Sequence, residues 1–287
     1  KNHKRNAEED YTHRKSGAAG LVEALAKDYL SLKGNPGSIE WVFNHSRNTQ
    51  LALLAGYVDV SLTYEREQEE IAVSEGWAEN AGCIFHDHFC LVGPENDPAN
   101  VRQAKSIEEA FHRIAATRSL FHSRSDGSAT MWRERSIWSR CHQFPWNARP
   151  EWYIQTMYGP TDAVHFAAAS GAYLLTDRSS LLHQISRGAA SNYNVFFEPT
   201  DDFHVLMNSC YALHTPLSNP GANEEISSFI DYLKSRRGQG LISDYGVDKV
   251  GIPFFAPVKQ GFTGMRLVGG RVVNGKWVLE KQRSLKL

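Results

Sequence analysis

The sequence predicts an α/β fold with room for two lobes. Three observations carry that prediction. Short apolar runs alternate with amphipathic helical patterns, the grammar of a protein with largely parallel sheets. The 287 residues hold two domains of about 150 residues each. The apolar strand Phe89–Val92 is followed by Gly93-Pro94-Glu95-Asn96-Asp97-Pro98, the strongest turn signal in the chain, and a lobe crossing is expected there.

The elements follow in order. Residues 1–15 are so polar that no structure is expected of them. After Ser16-Gly17, the residues Leu21, Val22, Leu25, Tyr29 and Leu30 recur at helical spacing, which predicts a helix over 18–32 ended by Lys33-Gly34-Asn35-Pro36. A strand over Ile39–Phe43, the polar loop Asn44–Asn48, a short helix over Thr49–Ala55, a strand over Val58–Thr63 and a charged helix over Glu65–Glu75 form a βαβα run. Helices are expected near 106–117, 128–138, 161–170 and 177–187, with short strands near Leu120, Tyr173 and Val195. A strand over His204–Leu213 carries the chain back, and helices near 223–236 and 238–245 close the first lobe. The division that results is residues 1–91 with 210–287 as one lobe, and 92–209 as the other. Near the end, Asn274-Gly275 between the apolar runs Val272-Val273 and Trp277-Val278 is a type I′ hairpin signal.

Composition excludes some functions. With 31 Lys plus Arg against 32 Asp plus Glu, the chain has no excess of basic residues to neutralise a polyanion, so nucleic acid is not an expected partner. A single small dianion is different, because neutral donors and one Arg can hold it. No apolar run approaches the roughly 20 residues of a bilayer span, and Lys1–Asp10 has no apolar signal core, so a soluble, processed chain without membrane insertion is expected. The four cysteines, Cys83, Cys90, Cys141 and Cys210, form no C-x-x-C pair. A Cys83–Cys90 bridge and buried free thiols both stay open.

The most informative stretch is Phe121-His122-Ser123-Arg124-Ser125-Asp126-Gly127-Ser128-Ala129-Thr130, placed between a strand end and a helix. Free N–H groups at the helix start, the hydroxyls of Ser128 and Thr130, and the Arg124 guanidinium make an anion cradle. The alternative is an ordinary Ser-capped helix beside a solvent-facing Arg. The loop Asn44–Thr49 also joins a strand to a helix, so Ser46 and Thr49 are placed to meet the same anion from the opposite lobe; a merely capped helix is again the alternative. Asn44-His45-Ser46 also fits a glycosylation sequon, which occupancy would make incompatible with a cleft. His86-Asp87-His88 sets two imidazoles on one face of an extended segment, a beginning for a metal site or a polar cluster at a strand edge. No G-x-S-x-G, phosphate-loop or G-x-G-x-x-G signature occurs, so catalysis has no motif behind it.

Phe89–Pro98, Ser123–Thr130, Glu151-Trp152-Tyr153, Ala172–Arg178 and Phe229–Ser235 through Gly238-Gln239 together resemble the tungstate-binding solute receptors of ABC importers, within the type II periplasmic-binding-protein superfamily. The resemblance spans about residues 16–257. It implies two α/β lobes with mixed sheets flanked by helices, and an oxyanion held in the cleft between them without chemistry. It also implies an extracytoplasmic monomer that serves an ABC permease and carries no cofactor or metal. Arg124 matches the family's cleft arginine, Thr130 its threonine six positions later, and Ser128 the position between. The Ser46/Thr49 loop corresponds to a second anion-contacting turn whose glycine-rich pattern is replaced here, and Thr161 opens a cleft-facing helix by analogy.

The family normally begins with a strand leading into a Thr/Ser-rich turn. The equivalent stretch here, Tyr11–Ser16, is polar with no strand before it, and Ser16 is the nearest candidate for the first contact. Three readings stay open: the strand is missing, the C-terminal hairpin replaces it, or the cleft is altered. A site built only of donors selects tungstate or molybdate over protonated phosphate, whose proton needs a carboxylate acceptor. The direction of Asp126 therefore bears on the ligand. Two rival readings are a module of this fold that has lost the oxyanion and recognises another small ligand or a protein, and a hydrolase on an α/β scaffold.

Overall fold

The computed structural model describes residues 20–34, 37–216, 220–259 and 267–279. Tyr11–Ser16, and with it the candidate Ser16, lie outside the described residues.

Helix α1 (Leu21–Lys33) buries Leu21, Leu25, Ala26 and Tyr29 along one face and ends at Gly34, whose φ of 59° stops the helix in the left-handed region. The strand expected over Ile39–Phe43 is not formed. Trp41 and Val42 are 36% and 74% exposed, and no described strand lies beside the segment to pair with it. Then come α2 (Ser46–Leu54), which starts three residues before the expected Thr49, β1 (Val60–Thr63), α3 (Arg66–Ser74), β2 (Glu79–His86) and β3 (Phe89–Pro94). They are followed by α4 (Ile107–Thr117), β4 (Phe121–Ser123), α5 (Ala129–Arg140), α6 (Pro145–Ala148), β5 (Tyr153–Gln155), α7 (Pro160–Ser170), β6 (Tyr173–Asp177), α8 (Arg178–Ser186) and β7 (Tyr193–Phe197). The chain closes with β8 (Ser209–His214), α9 (Pro220–Lys234), α10 (Arg236–Asp244), α11 (Val247–Val250), β9 (Ala256–Pro257), β10 (Gly270–Val273) and β11 (Lys276–Leu279).

The strands make two main sheets, ordered β1-β8-β2-β9 and β5-β4-β6-β3-β7. Largely parallel sheets were expected, and the pairing corrects this. Every pair in the four-stranded sheet is antiparallel, and in the other only β4–β5 and β4–β6 are parallel. The hairpin β10–β11 turns at Asn274 (φ 51°) and Gly275 (φ 74°), both left-handed as a type I′ turn requires. It forms a sheet of its own, so it does not stand in for a first strand.

Strand β3 shows why two layers of helix cover the second sheet. Its alternate residues Cys90 and Val92 pack with Ala163, Val164, Leu181 and Leu182 of α7 and α8. Phe89 and Leu91 face the other way, onto Phe111, Ile137 and Trp138 of α4 and α5. The rings of Phe111 and Phe121 stand edge-on to Trp138 at 4.5 and 5.2 Å.

Two passages of chain join the sheets and bond to each other. Asp87 N–H donates to Asn208 O (2.9 Å) and Phe89 N–H to Leu206 O (3.0 Å), while Asn208 Nδ2 donates to Asp87 O (2.9 Å). The strand expected over His204–Leu213 starts only at Ser209. Before it, Phe203 N–H donates to the Asp201 carboxylate (2.9 Å) and Leu206 N–H to His204 Nδ1 (3.1 Å); these local bonds compete with strand pairing. The buried Asp87 carboxylate accepts the N–H and hydroxyl of Ser179 at 2.9 and 2.7 Å, fastening the start of α8 to this crossing. All four cysteines are free thiols, so the Cys83–Cys90 bridge is not made.

Candidate functional site

The site grows from the carboxyl end of β4, a strand flanked on both sides by parallel neighbours. Ligands of α/β sheets collect at such ends. Beyond Ser123 the chain turns sharply: Ser125 takes a left-handed φ of 53°, and Gln155 Nε2 donates to its hydroxyl at 3.0 Å. This turn aims Arg124 inward, where it is 3% exposed. Arg124 Nη2 donates to Asp126 Oδ2 at 2.5 Å, and the backbone N–H and hydroxyl of Ser128 donate to Asp126 Oδ1 at 3.1 and 2.5 Å. Ser128 also caps α5, accepting Met131 N–H at 3.4 Å. Thr130, in the first turn of α5, is 6% exposed.

The structure thus brings Arg124 and Ser128 together around the Asp126 carboxylate, with Thr130 buried in the first turn of the helix that Ser128 caps. Burial alone would raise the Asp126 pKa, but the Arg124 charge and the hydrogen bonds of Ser128 and Arg124 outweigh it and hold the carboxyl below its ordinary value. Both Asp126 oxygens are occupied by these donors. Arg124 Nε, by contrast, is buried without a hydrogen-bond partner among the described residues, and a buried guanidinium donor left unmade is costly.

Two groups beneath the loop were not marked by sequence reasoning. Glu134, 1% exposed on α5, accepts Tyr153 Oη at 2.7 Å, and burial pushes its carboxyl up to about 7. His122 is fully buried, lies 2.7 Å from Thr156 Oγ1, and is pushed down to about 4 by burial and by Arg124, which keeps the ring neutral.

Across from this loop, Ser46 opens α2 and is 7% exposed; its hydroxyl accepts Tyr64 N–H at 3.1 Å. Thr49 turns its hydroxyl back to His45 O at 3.1 Å within the same helix. The two helix starts meet through neither of them but through Arg47, whose guanidinium lies 5.1 Å from the Trp132 ring centroid. Arg47 stood inside the polar loop read from the sequence, yet nothing local tied it to a residue 85 positions on. Thr161 is in the first turn of α7, where its carbonyl accepts Gln184 Nε2 at 2.6 Å. The nearer link from that helix is Phe166, 4.8 Å from the His122 ring.

His86 and His88 do share a face: their rings stack at 5.8 Å, and His86 Nδ1 lies 2.8 Å from Ser209 Oγ. Among the described residues no group of three or more His, Cys, Asp or Glu is placed to hold a metal ion. No described helix is long and apolar enough to cross a membrane.

The chain is similar to the tungstate-binding protein TupA of Peptoclostridium acidaminophilum, 29% identical over 209 residues that cover 70% of this chain and 69% of that one. Among solved structures it is similar to a periplasmic protein described provisionally as metal-binding, at 27% identity and a TM-score of 0.76, covering 84% of this chain and 93% of the other. The tungstate-binding protein TupA from Desulfovibrio alaskensis G20 shares the fold at 24% identity and a TM-score of 0.68, over 88% and 95% of the two chains. The family described as PBP superfamily domain matches residues 15–235. With well over half of its length inside that match and the β4–α5 loop at its centre, the chain belongs to the PBP superfamily.

Proposed function

We propose that this protein is a non-catalytic, extracytoplasmic solute-binding protein that captures a tetrahedral oxyanion, tungstate or molybdate, between two lobes and delivers it to an ABC permease. Residues 1–91 with 210–287 make one lobe and 92–209 the other, centred on the four-stranded and the five-stranded sheet respectively. Strand β3 (Phe89–Pro94) of the five-stranded sheet begins three residues before the first boundary, and β8 (Ser209–His214) of the four-stranded sheet one residue before the second. The observation that carries the reading is the loop after β4. There Arg124, 3% exposed, has an Nε without a hydrogen-bond partner among the described residues, beside the capped start of α5, and a helix start supplies further N–H donors and favourable dipole. A relative named for tungstate binding supports the choice of ligand.

Arg124, Ser128 and Thr130 are the ligand residues of the second lobe, with Ser46 opposite. Thr49, Ser16 and Thr161 complete the proposed set from α2, the first loop and α7. The anion bridges both lobes and stabilises the closed form by its higher affinity for it. Each hydrogen bond to a charged group contributes roughly 1.5 to 3 kcal/mol, so a handful offsets dehydration of a dianion. Asp126 is engaged by this loop's own donors, Oδ1 by the N–H and hydroxyl of Ser128 and Oδ2 by Arg124; Oδ2 keeps acceptor capacity, so the phosphate titration decides between the two anions. The protein acts as a monomer and performs no catalysis.

Isothermal titration with tungstate, molybdate, phosphate and sulfate tests this. Tungstate is expected to bind with a Kd of about 1 μM or tighter, near −8 kcal/mol; no heat with either tungstate or molybdate refutes the reading. That result would favour the rival, a module of the same fold that recognises another ligand or a protein surface, for which the polar Tyr11–Ser16 stretch in place of a Thr/Ser-rich turn speaks.

A further inference from the structure

Helices α2 and α5 belong to different halves of the molecule. Helix α2 buries Leu53 in a small cluster with Ala72, Ala78 and Leu213 against the four-stranded sheet, whereas α5 buries Ile137 and Trp138 against the five-stranded one. Trp132 is on the opposite face of α5 from that core and is 47% exposed. Its ring nevertheless has a partner: the Arg47 guanidinium from α2, 5.1 Å from the centroid. Arg47 is steered there by Glu65, whose Oε2 lies 3.9 Å from Arg47 Nε. Next along α5, burial and the Arg140 charge lower the Arg133 pKa, with the charge of Glu67 on α3 acting against them.

We propose that Arg47 and Trp132 form a latch across the gap between the two halves, which sets how long the site stays closed. This rests on the reading of that gap as an oxyanion cleft. A cation over an aromatic face is attractive but only loosely directional, so the pair adds holding force without the geometric demand of a hydrogen bond and parts when the lobes open. It places the dwell time of the ligand under the control of two half-exposed side chains outside the proposed set of ligand residues.

The test uses the full chain and four variants: Arg47→Ala, Trp132→Ala, the double variant and Trp132→Phe. Stopped-flow release of tungstate is expected to be about two- to fivefold faster in each alanine variant, with association little changed. The double variant should be no faster than the singles, and Trp132→Phe should recover most of the loss. Hydrogen exchange of anion-free protein gives a readout independent of ligand: amides at the starts of α2 and α5 should exchange about two- to fivefold faster in Trp132→Ala. If tungstate does not bind but this exchange effect is present, the latch stands and the oxyanion reading falls. If release and exchange are both unchanged, or if the two substitutions are additive, the latch is overturned whatever the anion result.

Discussion

Replacing Glu134 by Gln should make the protein more stable at pH 8 by about 3 kcal/mol, an effect that shrinks to about a quarter of that at pH 5. Glu134 is 1% exposed, and burial holds its carboxyl at about 7 against an ordinary 4.5, even with Tyr153 and Ser123 favouring the charged form. The folded chain therefore keeps a proton there up to about pH 7, which the unfolded chain releases near 4.5. Between those values the folded state binds more protons, so stability falls as pH rises. The relative stabilisation is complete below about pH 4.5 and lost above about pH 7. A difference of about two and a half pH units at 1.36 kcal/mol per unit is roughly 3 kcal/mol, to order of magnitude. Glutamine cannot titrate, yet its Oε1 still accepts the Tyr153 hydroxyl. Urea midpoints of both proteins at pH 5, 6, 7 and 8 read the difference, and Glu69, also pushed up to about 7, cancels because it is present in both. A difference between variant and parent that stays constant from pH 5 to pH 8 would refute the reasoning.

Other substitutions probe the same loop and its support. Arg124→Ala should weaken tungstate binding about 10- to 150-fold by titration for each hydrogen bond lost to the anion; unchanged affinity would remove Arg124 from the site. Asp126→Ala strands a guanidinium that is 3% exposed without its counter-charge and should cost about 3 kcal/mol in urea unfolding. Because the Asp126 carboxyl is held low, its stabilisation is present above about pH 4 and fades as the pH falls further, so the gap between parent and variant should narrow in acid. In β3, a Cβ on Gly93 would lie 2.3 Å from Tyr173 Cδ1, and Tyr173 cannot retreat, since its hydroxyl is pinned by Asp97 at 2.6 Å and Ala99 N–H at 3.0 Å. Gly93→Ala should therefore destabilise by about 1 to 3 kcal/mol in the same assay.

Legibility followed the range of the forces involved. Helices such as α4 and α5 were readable because periodicity and a serine cap lie within one turn: Ser106 accepts Glu109 N–H at 3.1 Å, as Ser128 does for Met131. Strand β2 was not read, because its first half is only partly buried and its register slips around Gly82, where φ is 100°. Three-residue β5 offers no pattern long enough to see. Ile39–Phe43 failed in the opposite sense, having the apolar content of a strand but no described neighbour to pair with. Pairing direction is a tertiary property, and the assumption of parallel sheets fell with it. The closeness of Arg124 and Ser128, and the burial of Thr130 just beyond them, were legible since seven consecutive residues build the loop; whether they hold an anion is the proposal. The Arg47–Trp132 contact was not, being formed by two half-exposed side chains from distant elements.

The account stands on an oxyanion lying against the loop after β4. Diffraction from crystals grown with sodium tungstate, recorded at a tungsten absorption edge, tests this most directly. The expected result is an anomalous tungsten peak with anion oxygens about 2.7 to 3.2 Å from Arg124 Nε and with the Ser128 hydroxyl turned from Asp126 Oδ1 to donate its one proton to the anion, Ser46 facing it from α2. Tungsten bound elsewhere on the protein, or none bound at all, would contradict it.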